Sequence, residues 1–207
     1  IYLITPDRFA NGDTSNDTVE GFGDALDRAA PYGRHGGDLK GIVDHLDYID
    51  DMGVTQIWLN PVIENRQPAW SYHGYAITDH YRVDARFGNN EDYLTLASTA
   101  RQRGIGLIMD VVMNHIGHRH WWMEDLPDDK WINSNPASPA ITNHRRESLF
   151  DPYAADGDRL GFTDGWFVPT MPDLNQRHPV LARYLIQNSI WWIEPLGLSG
   201  LRVDAWT

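Results

Sequence analysis

Cysteine is absent from the 207-residue sequence, so disulfide bonds are excluded and the redox compartment is left open. Basic residues are few: 17 Lys and Arg stand against 29 Asp and Glu, and the net charge is −12. This sign of charge argues against nucleic acid as a partner and suits a neutral ligand. No apolar run approaches the length of a membrane span, so none is predicted. The glycine-rich turn that a doubly wound nucleotide-binding domain carries after its first strand is also missing.

Apolar and aromatic residues are plentiful by comparison. Hydrophobic residues make up 42% of the chain, which is enough for the core of a domain of ordinary size. Nine Trp and nine Tyr are many for this length. Aromatic faces stack on the apolar faces of sugar rings, but such side chains also fill cores and cleft walls, and the sequence leaves both roles open.

Short apolar runs alternate with helical periodicity along the chain. Strands are predicted at residues 1–4, 56–59 and 200–203, and at the start of residues 106–115. Helices are predicted at residues 39–52, 90–103 and 178–194. This order predicts parallel strands joined by right-handed crossovers. Residues 62–86 are predicted to form one long aromatic loop, and residues 116–170 show no clear periodicity.

Polar side chains follow two of the predicted strands. Asp110, Asn114 and His115 end one of them, and the carboxyl ends of barrel strands are where catalytic residues lie. Arg202 and Asp204 are two residues apart and therefore share one face of another strand. An Arg that holds an Asp ionised suits a nucleophilic carboxylate. The alternatives are a polar turn after a buried strand and a structural Arg–Asp pair.

Oxygen-bearing side chains cluster after the first strand. Asn11, Asp13, Asn16 and Asp17 surround Gly12. Calcium takes six to eight oxygen ligands from flexible loops, and this spacing can supply several of them. The EF-hand pattern is excluded because no Glu closes the loop. A solvated turn rich in Asn and Asp is the alternative.

Three short motifs carry a resemblance to a known family. DVVMNH at 110–115, MPDLN at 171–175 and GLRVD at 200–204 resemble signature motifs of the alpha-amylase family of glycoside hydrolases, in the family's order. The wording is most similar to the cyclomaltodextrinase and neopullulanase branch. Residues 120–126 and 184–194 resemble enzymes of that branch from starch-utilising Bacteroidetes-like bacteria.

The resemblance implies a fold and its division along the chain. We expect an α/β fold that comprises the first four βα units of a TIM (β/α)8 barrel. Residues 1–115 would carry strands one to three, and residues 116–170 an irregular subdomain that forms one wall of the cleft. Residues 171–207 would continue the barrel with its third helix and fourth strand.

The resemblance also implies roles for individual residues. Asp204 would be the nucleophile, and Arg202 would keep it ionised. Four further side chains would bind substrate or hold the strand ends in place: His73, Tyr75, Asp110 and His115. Asp173 and Asn175 of the second motif are further site candidates, and Trp121, Trp122, Trp131 and Trp166 are predicted to contact sugar or to fill the core.

A structural calcium ion is implied in the same way. Relatives that act on cyclodextrins carry a similar loop, completed by a later Gly-Gly-Asp, which is present here at residues 36–38. The predicted ligands are therefore Asn11, Asp13, Asn16, Asp17, Asp38 and the carbonyl group of Gly36.

The implied activity is retaining hydrolysis of alpha-1,4-glucosidic bonds in cyclodextrins, pullulan or starch oligosaccharides. An alpha-amylase, an oligo-1,6-glucosidase, a transglycosylase and a catalytically silent sugar-binding barrel are the alternatives. The general acid Glu of the family lies on the fifth strand, and a His-Asp pair follows the seventh; neither region is among these 207 residues. We therefore expect these residues alone to be inactive and poorly soluble. For the full-length protein, a homodimer and a periplasmic or secreted bacterial location are expected.

Overall fold

A computed structural model describes residues 1–205 of the protein, and Trp206 and Thr207, at the end of the predicted third segment, lie outside the described residues. The strands are β1 Tyr2–Ile4, β2 Gln56–Leu59, β3 Ile63–Glu64, β4 Asp79–Val83, β5 Gly106–Val112 and β6 Gly200–Asp204. The helices are α1 Pro6–Phe9, α2 Leu39–Asp44, α3 Leu46–Asp51, α4 Asn90–Gln102, α5 Asp156–Thr163 and α6 Pro179–Leu196. Within the described part of the chain, no helix combines the length and the apolar character needed to cross a membrane.

Four parallel strands form the main sheet, in the order β1-β2-β5-β6. Each crossover between them contains one or more helices, as parallel pairing requires. The α/β class and the parallel sheet predicted from the sequence are therefore confirmed. The register pairs Asp110 with Arg202 and Val112 with Asp204, which brings the polar ends of β5 and β6 to one edge of the sheet.

Local sequence signals set most of the helix ends. Asn89 and Asp92 form a reciprocal capping box at the start of α4. At α6, the His178 side chain accepts a hydrogen bond from the first turn, and Gly197 ends the helix at a φ of 55°. The helix predicted at 39–52 is instead two helices. His45 leaves the helical backbone at φ −113° and ψ 16° and separates α2 from α3, while its ring stays bonded to the Gly41 carbonyl.

Two segments predicted to be irregular contain regular structure. The long loop at 62–86 includes the antiparallel pair β3 and β4, and the segment 116–170 includes α5. β3 has only two residues, and β4 is mostly polar, with two buried positions, His80 and Val83. Neither strand is long or apolar enough to produce a recognisable alternation in the sequence.

Two apolar clusters stabilise the structure. The larger one lies between the main sheet and α2, α3 and α4, and it includes Trp192 of α6. The smaller one joins the segment after β5 to the first half of α6: Ile116, Trp122, Trp131, Ile132, Trp166, Leu174, Leu181 and Leu185. Three of the four tryptophans considered as sugar contacts, Trp122, Trp131 and Trp166, are therefore core residues. Trp121 is half exposed.

Candidate active site

Arg202 lies between two carboxylates at the sheet edge. Its Nη1 atom is 3.1 Å from each oxygen of Asp110 and 2.5 Å from Oδ1 of Asp204. Burial opposes the charge of Arg202, but the hydrogen bonds and the attraction of both carboxylates outweigh it and raise its pKa. The guanidinium group is therefore a fixed positive charge beside Asp204.

Asp110 is buried and anchors this arrangement. Its Oδ2 atom accepts hydrogen bonds from Trp58 Nε1 and from the Tyr75 hydroxyl group, each at 3.0 Å. Burial raises the pKa of Asp110, against the opposing effect of its bonds to Arg202, Trp58 and Tyr75. Burial and the nearby Asp110 charge raise the pKa of Tyr75, which therefore stays a neutral donor.

Two histidines and a tyrosine line the cleft above the strand ends. His115 Nε2 lies 3.0 Å from the carbonyl oxygen of Tyr75, which can only accept, so this nitrogen carries the proton. His73 Nδ1 accepts a bond from the Tyr75 amide at 2.9 Å, which places the His73 proton on Nε2. Burial lowers the pKa of both histidines, so both rings are neutral at pH 7.

An open cleft of about 380 Å³ brings these groups together. Its lining consists of His73, Tyr75, His115, Phe167, Met171, Asp204 and Ala205. The Phe167 ring stacks on the His115 ring, with centroids 6.0 Å apart and an interplanar angle of 12°. The cleft thus combines a carboxylate, neutral ring donors and aromatic faces, a lining that suits a neutral polyhydroxylated ligand.

The second motif is divided between two places. Asp173 is buried and accepts bonds from Asn114 at 3.2 Å and Asn133 at 2.8 Å. It lines a neighbouring pocket that shares Phe167 with the cleft. Burial raises the pKa of Asp173 to about 7. Asn175 donates to the Lys130 carbonyl and does not line the cleft. Asn175 therefore makes a structural contact away from the cleft, whereas Asp173 lies against the cleft wall.

Sequence reasoning missed three contributors to the site. The sequence places Trp58 only in a strand, but its indole donates a hydrogen bond to Asp110 and its ring centroid lies 5.2 Å from the Arg202 guanidinium carbon. The pairing of β2 with β5 would have indicated this contact, because Trp58 lies opposite Ile108, two residues before Asp110. Side chains alternate along a strand with a period of two residues, so Trp58 and Asp110 share one face of the sheet. Phe167 comes from the segment without periodicity and has no sequence signal. Met171 opens the MPDLN motif, but the motif assigns no role to it.

The predicted calcium loop has a mixed geometry. The Oδ1 atoms of Asn11 and Asn16 are buried without a hydrogen-bond partner, as expected for oxygens that coordinate a cation when one is bound. A Cβ atom at Gly36 would lie 2.5 Å from Asp17 Oδ1, so the chain passes very close to that carboxylate. These four residues fit a cation-binding loop of amide, carboxylate and carbonyl oxygens.

The other two predicted ligands are engaged elsewhere in this arrangement. Asp38 caps α2 through Gly41 and also accepts bonds from the Gly12 and Asp13 amides, so it shapes the loop. Asp13 Oδ1 accepts two bonds from Ser15. Among the described residues, no cluster of three His, Cys, Asp or Glu side chains is placed to hold a metal. A cation here would therefore depend on amide and carbonyl oxygens together with the Asp17 carboxylate.

Comparison with known proteins settles the family. A model of the alpha-amylase catalytic domain matches residues 3–207, almost the whole chain. The chain belongs to the alpha-amylase family. It is related to the cyclomaltodextrinases and neopullulanases of glycoside hydrolase family 13.

Two curated relatives illustrate the match. The chain is 34% identical over 205 residues to a cyclomaltodextrinase of Geobacillus thermopakistaniensis strain MAS1, covering 98% of this chain and 32% of the relative. It is 32% identical over 216 residues to neopullulanase 2 of Thermoactinomyces vulgaris, covering 99% of this chain and 33% of the relative. The chain thus spans about a third of the length of these relatives.

The fold of this alpha-amylase family chain is also found in solved structures. An alpha-amylase from Anoxybacillus superposes with a TM-score of 0.78 at 35% identity, covering 98% of this chain and 39% of that chain. The four-stranded parallel sheet therefore corresponds to the N-terminal part of the family's barrel domain.

Proposed function

We propose that the full-length protein is a retaining glycoside hydrolase that cleaves alpha-1,4-glucosidic bonds in cyclodextrins, pullulan or starch oligosaccharides. The observation that carries the proposal is the position of Asp204. It ends β6 beside the cleft, and Arg202 Nη1 lies 2.5 Å from its Oδ1 atom. A positioned carboxylate beside an open cleft is the nucleophile that a glycosyl-enzyme mechanism requires, together with a second carboxyl group.

In this mechanism Asp204 attacks the anomeric carbon of the bound sugar. Arg202 donates to Oδ1 and thereby holds the carboxylate of Asp204 in place, which leaves Oδ2 to form the bond to the sugar. The glycosidic bond breaks, and its oxygen takes a proton from a second carboxyl group. Water then hydrolyses the glycosyl-Asp204 ester. The family resemblance assigns the second carboxyl group to a Glu on the fifth strand, beyond these 207 residues.

The neutral rings of the cleft would bind the sugar. His73 carries its proton on Nε2 and can donate it to a hydroxyl group, while Tyr75 offers an aromatic face beneath the ring. His115 is fixed by its bond to the Tyr75 carbonyl and by its stacking on Phe167. Because neither histidine is protonated at pH 7, they bind a neutral substrate without adding charge.

The function is tested by reducing-sugar release from a cyclodextrin and from soluble starch, with the full-length protein and its Asp204→Asn variant. Asp47→Asn is the control, because Asp47 is also paired with an arginine, Arg103 at 2.7 Å, but on the surface. We expect faster release from the cyclodextrin, abolished only in Asp204→Asn. A preference for starch would indicate an alpha-amylase. Sugar binding without any release would indicate a silent barrel and refute the proposal.

We also propose that the loop of Asn11, Asn16, Asp17 and Gly36 binds a structural calcium ion, with Asp38 shaping it. Such an ion would neutralise the loop and hold it against α2, and it would take no part in the reaction. Calcium should raise the thermal midpoint of the full-length protein, and a chelator should reverse the rise. Asn16→Leu should remove this response. A calcium response that survives in this variant would contradict the proposed ligands.

The location and the oligomeric state stay predictions. A periplasmic or secreted location and a homodimer follow from the family resemblance alone.

A further inference from the structure

Two large aromatic rings lie exposed in the loops that follow β1 and β2, at the sheet edge where β6 ends in Asp204. Trp70 and Tyr32 each have 64% of their surface exposed, and their rings meet edge to face with centroids 6.3 Å apart. Trp70 directly precedes the 3-10 turn Ser71–His73, and His73 lines the cleft. At the rise of such a turn, about 6 Å of backbone separates the two residues. Trp70 is therefore close along the backbone to a residue of the cleft lining.

The backbone that presents Trp70 is strained and firmly anchored. Trp70 has a left-handed φ of 58°, and Asp24 has a φ of 65°. For residues other than glycine, this conformation costs about 1–2 kcal/mol. Asp24 nevertheless accepts two bonds from Ser71, from the amide at 2.7 Å and from the hydroxyl at 2.9 Å, and Ser71 is fully buried. Strain that the surroundings hold in place is typical of ligand-binding sites.

Arg8 fixes the second ring relative to the first. Its guanidinium group donates to the carbonyls of Gly33 at 2.7 Å and Pro31 at 2.9 Å, which flank Tyr32 on both sides. The same group lies 4.2 Å from the centroid of the Tyr72 ring, in the turn that follows Trp70. One arginine thus joins the two loops, and the aromatic pair is held in position before any ligand arrives.

We propose that Trp70 and Tyr32 form a sugar-stacking platform, which binds the part of an alpha-glucan chain that extends beyond the glucose units in the cleft. The proposal rests on the proposed function. The rings offer apolar faces to a neutral ligand, and their place at the same sheet edge as the cleft would let one chain contact both sites. The platform therefore determines a preference for longer substrates.

The test compares maltoheptaose with maltotriose as substrates of the full-length protein. Trp70→Ala should lower kcat/KM for maltoheptaose about tenfold, while the value for maltotriose stays within about twofold. Tyr32→Ala should act in the same direction, and Trp70→Phe should restore most of the loss. Tyr48→Ala is the matched control, since Tyr48 is a half-exposed aromatic residue of α3 outside the cleft lining and should leave both substrates unaffected.

The possible failures are distinguishable. If the parent protein hydrolyses neither substrate, the proposed function fails. If it hydrolyses both and Trp70→Ala lowers the two values equally or not at all, the platform is refuted. A fall in thermal midpoint or a change of oligomeric state in both Trp70→Ala and Tyr32→Ala would also overturn the platform, because another part of the protein or a second copy would then cover the rings.

Discussion

The Asp110→Asn substitution tests the charge arrangement at the strand ends. Asn keeps the size of the side chain but removes the negative charge that faces Arg202 at 3.1 Å. At that distance and an effective dielectric constant of about 20, the pair interacts by about 5 kcal/mol. The Arg202 side chain is 35% exposed and keeps Asp204 as a partner, so solvent screening reduces the loss to about 2 kcal/mol of unfolding free energy.

The effect on catalysis should be larger than the effect on folding. Without the Asp110 charge, the guanidinium group keeps its bond to Asp204 and its contact with the Trp58 ring, but it loses one of its two carboxylate partners and is held less firmly when the transition state forms. Loss of a positioned electrostatic group typically lowers kcat about 100-fold or more. We expect a loss of this size on cyclodextrin, with a smaller change in KM, measured by initial rates of the full-length protein alongside urea unfolding.

Asp84→Asn is the matched control. Asp84 is buried and bonded to Arg86 at 2.9 Å, and it is not part of the cleft lining. Removing one partner of such a buried pair costs about 3–5 kcal/mol, so this variant should unfold more easily while the folded enzyme keeps its kcat. The reasoning is refuted if Asp110→Asn keeps kcat within about threefold of the parent, or if both variants lose kcat equally.

Three further predictions concern the cleft and the core. Gly74→Ala should destabilise the protein by about 2 kcal/mol or more and lower its activity. Gly74 has a φ of 84°, and a Cβ atom there would lie 2.0 Å from the Pro61 carbonyl oxygen. An unchanged thermal midpoint and an unchanged rate would contradict this prediction. Phe167→Ala should raise KM several-fold and hardly change kcat, since it removes the ring stacked on His115; a kcat loss alone would argue against a binding role. Burial lowers the pKa of His80 to about 4, from an ordinary value near 6.5. As the pH falls from 6.5 to 4, the unfolded chain therefore binds a proton at His80 that the folded protein does not bind. The free energy of unfolding should decrease by at most about 3 kcal/mol over this range. His80→Asn should make the urea midpoint less dependent on pH in that range, and an equal slope in parent and variant would exclude this contribution.

The sequence alone determined the parallel α/β class and the two strand ends that carry the polar residues. The apolar runs of strands and the capping signals of helices are patterns of neighbouring residues, so the sequence shows them directly. The two-residue period of a strand likewise directs Arg202 and Asp204 to the same face. The contact of Asp110 with Arg202 was also predictable, through the family motifs that contain them. What these motifs do in the full-length enzyme stays a prediction.

Tertiary structure decided the features that depend on residues far apart in the chain. Trp58 became an Asp110 partner through the pairing of β2 with β5, and Phe167 reached His115 from a segment without periodicity. Trp122 and Trp166 are core residues and not sugar contacts because they pack in the second apolar cluster. No local sequence pattern indicates this cluster. Local propensity and period constrain neighbours along the chain, whereas the cleft wall depends on long-range packing that only the folded chain specifies.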